Sequence, residues 1–167
     1  DPRQAMPAIL FICQANRIRS PLAEHLLRRR LAADALTATW RVESAGALAV
    51  PDQSALPVAR QAGASLGVDL SDHRSQRVED LNLSRFDLIL TMERGQRDAL
   101  RHEHPEVAEL IVTVSEVTTG YDYDVIDPPG HTAAAVMATA RELDDLLERG
   151  TPRIIRAVSG GLTGGLG

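Results

Sequence analysis

Residues 8–13 read Ala-Ile-Leu-Phe-Ile-Cys, a short run with no polar position. A strand of that kind has no face for water and needs cover on both sides, which a parallel sheet flanked by helices provides. The cover follows at once, because Leu22, Leu26, Leu27 and Leu31 recur at helical spacing. A helix over 21–33 is predicted, with Ser20 as its cap, Pro21 in its first position and Glu24 adding negative charge near its start. The alternation continues. Residues 37–44 read as a strand ended by Ala45-Gly46, 57–66 as a helix closed by Gly67, and 87–92 as a strand. Residues 93–104 read as a helix stopped near Pro105, and 110–114 as a strand. A closing helix over 133–149 carries Val136, Met137, Ala140, Leu143 and Leu147 on one face. Segments 47–55 and 118–130, rich in Gly, Pro, Asp and small residues, read as loops. The pattern predicts an α/β fold of three layers, a parallel sheet with helices on both faces.

Length and composition narrow the possibilities. With 167 residues, 44% of them apolar, the chain suits one domain, expected over 7–150, with 1–6 and the glycine-rich 157–167 as flexible termini. The net charge of −5 argues against a general nucleic-acid partner. The one basic cluster, Arg28-Arg29-Arg30, falls late in the first helix and reads as a solvated helix end. No apolar run is long enough to cross a bilayer, and no signal-like segment opens the sequence, so a cytoplasmic protein with no membrane partner is expected. There is a single cysteine, which excludes an internal disulfide and a four-cysteine metal site. No metal or other cofactor is expected. The lone thiol is either a small buried hydrophobe or a nucleophile.

Its surroundings favour the nucleophile. The first strand runs into Cys13, and the turn continues Gln14-Ala15-Asn16-Arg17-Ile18-Arg19-Ser20 before the helix begins. In doubly wound folds ligands bind beyond the carboxyl ends of the strands. A tight turn at a helix start directs backbone N–H groups at one point, where an anion fits. Residues 14–20 are therefore the predicted phosphate cradle, with Arg19 able to hold two phosphate oxygens through its planar fork. The same field favours the thiolate, the reactive form of cysteine. The Ser20 hydroxyl is placed to donate to the sulfur.

The segment resembles the signature of low-molecular-weight protein tyrosine phosphatases: a Cys, five residues, then Arg-Ser-Pro, with Asn16 and Ala23-Glu24 also matching. The resemblance continues through Glu43-Ser44-Ala45-Gly46, Asp72-His73-Arg74, residues 86–92 and Asp127-Pro128. It implies the phosphotyrosine phosphatase I-like fold, with four parallel strands in the order 2-1-3-4. It also implies a phosphomonoester hydrolase, acting on phosphotyrosine in proteins or on a small phosphomonoester, that forms a phosphocysteine and releases inorganic phosphate. Cys13, Arg19 and Asp127 are its implied catalytic residues, with Asp127 as the general acid and Asp122 and Asp124 as neighbours open to confusion with it. Asn16, Ser20, Ser44 and His73 are the implied supports of the loop. An acid in that role must hold a proton near neutral pH, which burial or a nearby anion would favour.

Four positions depart from the family pattern. Ala15 stands where glycine is usual, so either the backbone suits Ala or the loop is strained. Ile18 replaces a second cysteine. Pro129 and the stretch Ala47-Leu48-Ala49 stand where aromatic rings flank the family's phosphotyrosine, leaving Tyr121 or Tyr123 as substitutes. These departures keep open a phosphate- or phosphopeptide-binding module with little turnover. Arsenate reduction, which uses further thiols, is disfavoured by the lone cysteine.

Overall fold

The computed structural model describes residues 6–160. Four strands, β1 (Ala8–Cys13), β2 (Arg41–Gly46), β3 (Leu88–Thr91) and β4 (Ile111–Thr113), form one sheet in the order β2-β1-β3-β4. All three pairings are parallel. The expected order and layering are those observed. Because β1 is central, each of its residues is buried. Ile9, Phe11 and Cys13 face a core built with α1 (Arg19–Ala32), α2 (Pro57–Ser65) and α5 (Ala133–Gly160). Ala8, Leu10 and Ile12 face the opposite layer, where α3 (Arg94–Glu103) contributes Leu100 and the 105–110 turn contributes Val107. This two-sided burial is the physical reason the run has no polar position.

The register brings the site together. Cys13 pairs with Gly46, so β1 and β2 end side by side. A side chain at residue 46 would place its Cβ 2.6 Å from the Gln14 carbonyl oxygen, and only glycine lets the turn after β1 pass this close. Ala47 and Leu48 donate their amides to the Cys13 and Gln14 carbonyls at 2.9 and 2.8 Å, which fastens the turn to the loop after β2.

Several boundaries differ from the sequence expectation, each for a visible reason. Ser20 is the second residue of α1 and not its cap; the cap position is Ile18, and the Ser20 hydroxyl is turned to the cysteine sulfur. Pro21 accordingly sits third in the helix. β2 starts at Arg41 rather than 37, because the Thr37 hydroxyl binds the Leu31 carbonyl at 2.8 Å and holds 37 in the turn that ends α1. A short helix, α4 (Val114–Thr119), follows β4 directly, where a strand end and a loop are expected. Thr113 caps it by accepting the Glu116 amide, and Gly120 closes it in the left-handed conformation. Finally, α5 does not stop at 149. It continues through Gly150 and Pro152 to Gly160, with Ile154 fully buried. A Cβ at Gly150 would lie 2.4 Å from Thr118, so the glycine is there for close packing of α4 on α5 and not as a helix stop.

Residues 157–160, expected to be flexible, are thus helical. The same expectation for 1–5 and 161–167 lies outside the described residues. The basic cluster is more than a solvated end. Arg28 bonds Glu24 and the Val42 carbonyl, Arg29 bonds the Leu66 carbonyl, and Arg30 binds Asp144 of α5 at 2.8 Å.

Candidate active site

Cys13 is nearly buried, yet its sulfur meets polar groups. Sγ lies 2.9 Å from Ser20 Oγ and accepts the Asn16 amide at 3.3 Å. The turn of the loop is made at Asn16, whose φ is 59°. Ala15 has no such angle, so the strain weighed for it is absent. Asparagine adopts the left-handed region more readily than other non-glycine residues, and its side chain is put to use here. Asn16 Nδ2 donates to Ser20 Oγ and to Ser44 Oγ, both at 2.8 Å. Its Oδ1 accepts the Gln76 amide at 3.0 Å, and its backbone carbonyl accepts from His73 Nε2 at 2.7 Å. With Ser20 Oγ accepting from Asn16, the Ser20 hydroxyl proton is free for the sulfur.

The network continues to a carboxylate. Ser44 Oγ donates to Glu24 Oε1 at 2.6 Å, and Arg28 donates to Glu24 Oε2 at 2.6 Å. Glu24, expected to add negative charge near the helix start, is the sixth residue of α1, where it is buried and anchors Ser44. A carbonyl can only accept, so His73 Nε2 carries a hydrogen. Burial is the main influence on His73 and pushes its pKa below the ordinary value, against the opposing pull of the Asn16 bond. Burial thus favours the neutral ring.

The other cradle residues divide by side chain. Gln14 and Ala15 are exposed, Ile18 packs in the core, and half-buried Arg17 donates to the Ser54 carbonyl at 2.8 Å. Only Arg19 turns its cation toward the acidic side. Its guanidinium is 2% exposed, donates to the Val125 carbonyl at 2.8 Å, and lies 3.5 Å from Glu93 and 3.8 Å from Asp127 Oδ1.

The three neighbouring aspartates have different surroundings. Asp122 binds Arg97 and accepts from Thr113 at 2.7 Å; burial opposes its charge, but these bonds outweigh it and hold its pKa below the usual carboxylate value. Asp124 accepts the Arg94 amide and guanidinium, which lower its pKa likewise. Both tie the loop to α3. Asp127 alone of the three faces Arg19, and its other oxygen lies 3.0 Å from His131 Nε2. Burial, one of the two conditions weighed for an acid in that role, is absent, since its side chain is 54% exposed. Among the described residues, neither tyrosine hydrogen-bonds the Cys13 loop. Tyr123 stands near Glu142 and Asp145 of α5, and Tyr121 is exposed with its amide on Thr119.

The structure therefore gathers Cys13, Asn16, Ser20, Ser44 and His73 in one network, and Arg19 with Asp127 beside it. Glu24, Gln76, Glu93 and His131 join them without having been singled out as site residues. Among the described residues no three His, Cys, Asp or Glu side chains come together as a metal site, and no helix is long and apolar enough to cross a membrane.

Known proteins are similar to this chain in sequence and fold. Residues 8–159 match the family described as low molecular weight phosphotyrosine protein phosphatase. A probable low molecular weight protein-tyrosine-phosphatase of Ralstonia nicotianae is 34% identical over 120 residues, which cover 72% of this chain and 77% of that protein. A protein-arginine-phosphatase of Bacillus subtilis is 30% identical over 141 residues, 84% of this chain and 92% of the relative. The crystal structure of a low molecular weight protein tyrosine phosphatase from T. tengcongensis superposes with a TM-score of 0.79 at 32% identity, covering 90% of this chain and 98% of that one.

Proposed function

The chain belongs to the low molecular weight phosphotyrosine protein phosphatase family, and on that premise we propose that it removes phosphate from phosphotyrosine in proteins through a phosphocysteine on Cys13. The observation that carries this is the sulfur itself, held by the Asn16 amide and the Ser20 hydroxyl at the end of β1. Both groups donate to a thiolate, and both would stabilise it again as a leaving group.

In the first step Cys13 Sγ attacks phosphorus, an S–P bond forms, and the ester P–O bond breaks. Arg19 holds the phosphate oxygens with the amides of residues 14–20, and Asp127 delivers its proton to the departing oxygen. In the second step water attacks phosphorus, Asp127 takes a proton from it, and the S–P bond breaks. Inorganic phosphate leaves and the thiolate is restored. Asn16, Ser44 and His73 keep the loop in its left-handed turn throughout.

A protein substrate is favoured by Leu48, Val50 and Ile126, large apolar side chains left exposed on the loops that flank this end of the sheet. A nucleophile that must stay a free thiol suits the reducing cytoplasm. The binding module without turnover loses one of its supports, because Ala15 has no left-handed backbone angle, while Pro129 and the missing rings remain. Phosphoarginine is the second reading. It is favoured by the protein-arginine-phosphatase relative together with Leu48 and Pro129 where rings would stack on a tyrosine. The test is a panel of phosphotyrosine and phosphoarginine peptides against wild type and Cys13→Ser. Turnover of the tyrosine series, abolished in the variant, is expected. Undiminished turnover by Cys13→Ser would overturn the mechanism, and a preference for phosphoarginine would replace the substrate.

A further inference from the structure

Asp127 stands on an exposed stretch of chain, yet one of its oxygens is held. Pro128, Pro129, Gly130 and His131 form a tight turn in which the His131 amide bonds the Pro128 carbonyl at 3.1 Å. Glycine is what the left-handed third position of such a turn favours, with φ of 63°, and proline is common in the second. His131 then continues in the left-handed region with φ of 51°. That conformation is costly for a residue with a side chain and is found mostly where its surroundings or a function demand it. Here it carries the imidazole back over residue 127, with Nε2 3.0 Å from Oδ2, while Oδ1 is left on the Arg19 side at 3.8 Å.

We propose that His131 is a positioning residue for the acid step: by donating Nε2–H to Oδ2 it confines the transferable proton of Asp127 to Oδ1, the oxygen that faces Arg19. A carboxylic acid carries its proton on either oxygen, and an exposed one rotates freely. If the proton sits on Oδ2, or if the carboxyl turns, the leaving oxygen meets no acid. The imidazole bond removes both possibilities, because an oxygen that accepts from N–H is the carbonyl-like one. No proton passes through His131, since Asp127 regains from water the proton it gives to the leaving group. The inference rests on the reading of Asp127 as the acid.

The test is a double-mutant cycle of His131→Gly and Asp127→Asn, read as kcat/KM for phenyl phosphate, which needs a proton to leave, and p-nitrophenyl phosphate, which hardly does. Glycine is chosen because it adopts the left-handed angle without strain, and the thermal midpoint of each variant checks the fold. His131→Gly should lower kcat/KM for phenyl phosphate roughly tenfold, about 1.4 kcal/mol in barrier, and leave p-nitrophenyl phosphate nearly unchanged. In the Asp127→Asn background it should add nothing. His131→Gln, which keeps an amide donor of similar reach, should restore part of the loss. An equal loss on both substrates, the same loss without Asp127, or no loss would overturn the proposal. If Asp127→Asn itself shows no bias against phenyl phosphate, the acid assignment fails and this inference with it. If that bias is present and His131→Gly lacks it, only the inference fails.

Discussion

The loop that carries Cys13 and the loop that carries Asp127 meet at Arg19, and they are held in place by different means. In the first, Asn16 is fully buried and its side chain and carbonyl together make four hydrogen bonds, to Ser20, Ser44, Gln76 and His73. Ser44 is in turn anchored to buried Glu24. In the second, Asp127 is 54% exposed, with an exposed His131 and a 3.8 Å approach to Arg19 as its side-chain contacts. On the proposed mechanism, the group that must cradle phosphate identically in both chemical steps is set in a buried network. In the same mechanism, the group that must exchange a proton with a leaving oxygen and then with water is left on the solvent side. The cradle is therefore expected to couple activity to stability, and the acid loop to separate them.

Asn16→Ala tests the first half and should have the largest effect. It removes three side-chain hydrogen bonds, two from the buried Ser20 and Ser44 and one from half-buried Gln76, and puts alanine at a left-handed angle. We expect a loss of about 2–4 kcal/mol in urea unfolding together with a fall in kcat of roughly a thousandfold. A large loss of rate with no loss of stability would break the coupling. Asp127→Asn tests the second half. Urea unfolding should move by no more than about 0.5 kcal/mol, while kcat/KM for a poor leaving group falls roughly a hundredfold. A destabilised variant would show that the acid loop is part of the buried frame after all.

Ser20→Ala sharpens the comparison within the cradle. It deletes the hydroxyl on the sulfur and leaves Asn16 its other partners, so kcat should fall about tenfold, with KM little changed, in steady-state assays. The smallest effect is a pH dependence from His73. The unfolded chain takes up a proton at the ordinary histidine value of 6.5, whereas burial makes the folded ring resist it. Stability is full above 6.5 and should decline as the pH falls through that value toward the lower folded pKa. Urea midpoints measured between pH 7.5 and 5.5, roughly spanning that window, should drop in wild type and drop less in His73→Gln. A flat wild-type profile would mean that the ring is not held neutral.

What could be read from the sequence follows from the same contrast. The strand into Cys13 and the order of helices are local patterns, and the sheet follows from them together with the resemblance. Cys13, Arg19, Ser44 and His73 stand in motifs whose order along the chain is itself informative. Glu24 was visible as a residue but not as a buried anchor, because its partner Ser44 comes from another element. Ser20 fits both a helix cap and a donor to the sulfur by residue type and position, and the fold keeps the second role and not the first. The helix α4 had a signal in Thr113 and Glu116 at capping spacing, masked by the turn-forming residues that follow. The length of α5 had the opposite problem. Gly150 and Pro152 look like breakers, and the packing of Gly150 on Thr118 and of Ile154 in the core overrides them. His131 has no motif at all, and its place beside Asp127 depends on two successive left-handed residues.

The most direct test is to catch the phosphoryl group in transit. On the proposed mechanism Asp127→Asn lacks the base for the second step, so rapid quenching during turnover of p-nitrophenyl phosphate should leave phosphate bound to the protein. Peptide mass spectrometry should place it on Cys13, with a burst of nitrophenol matching the enzyme in amount. Phosphate on another residue, or hydrolysis without any protein-bound phosphate and without a burst, would contradict the claim that this sulfur is the nucleophile.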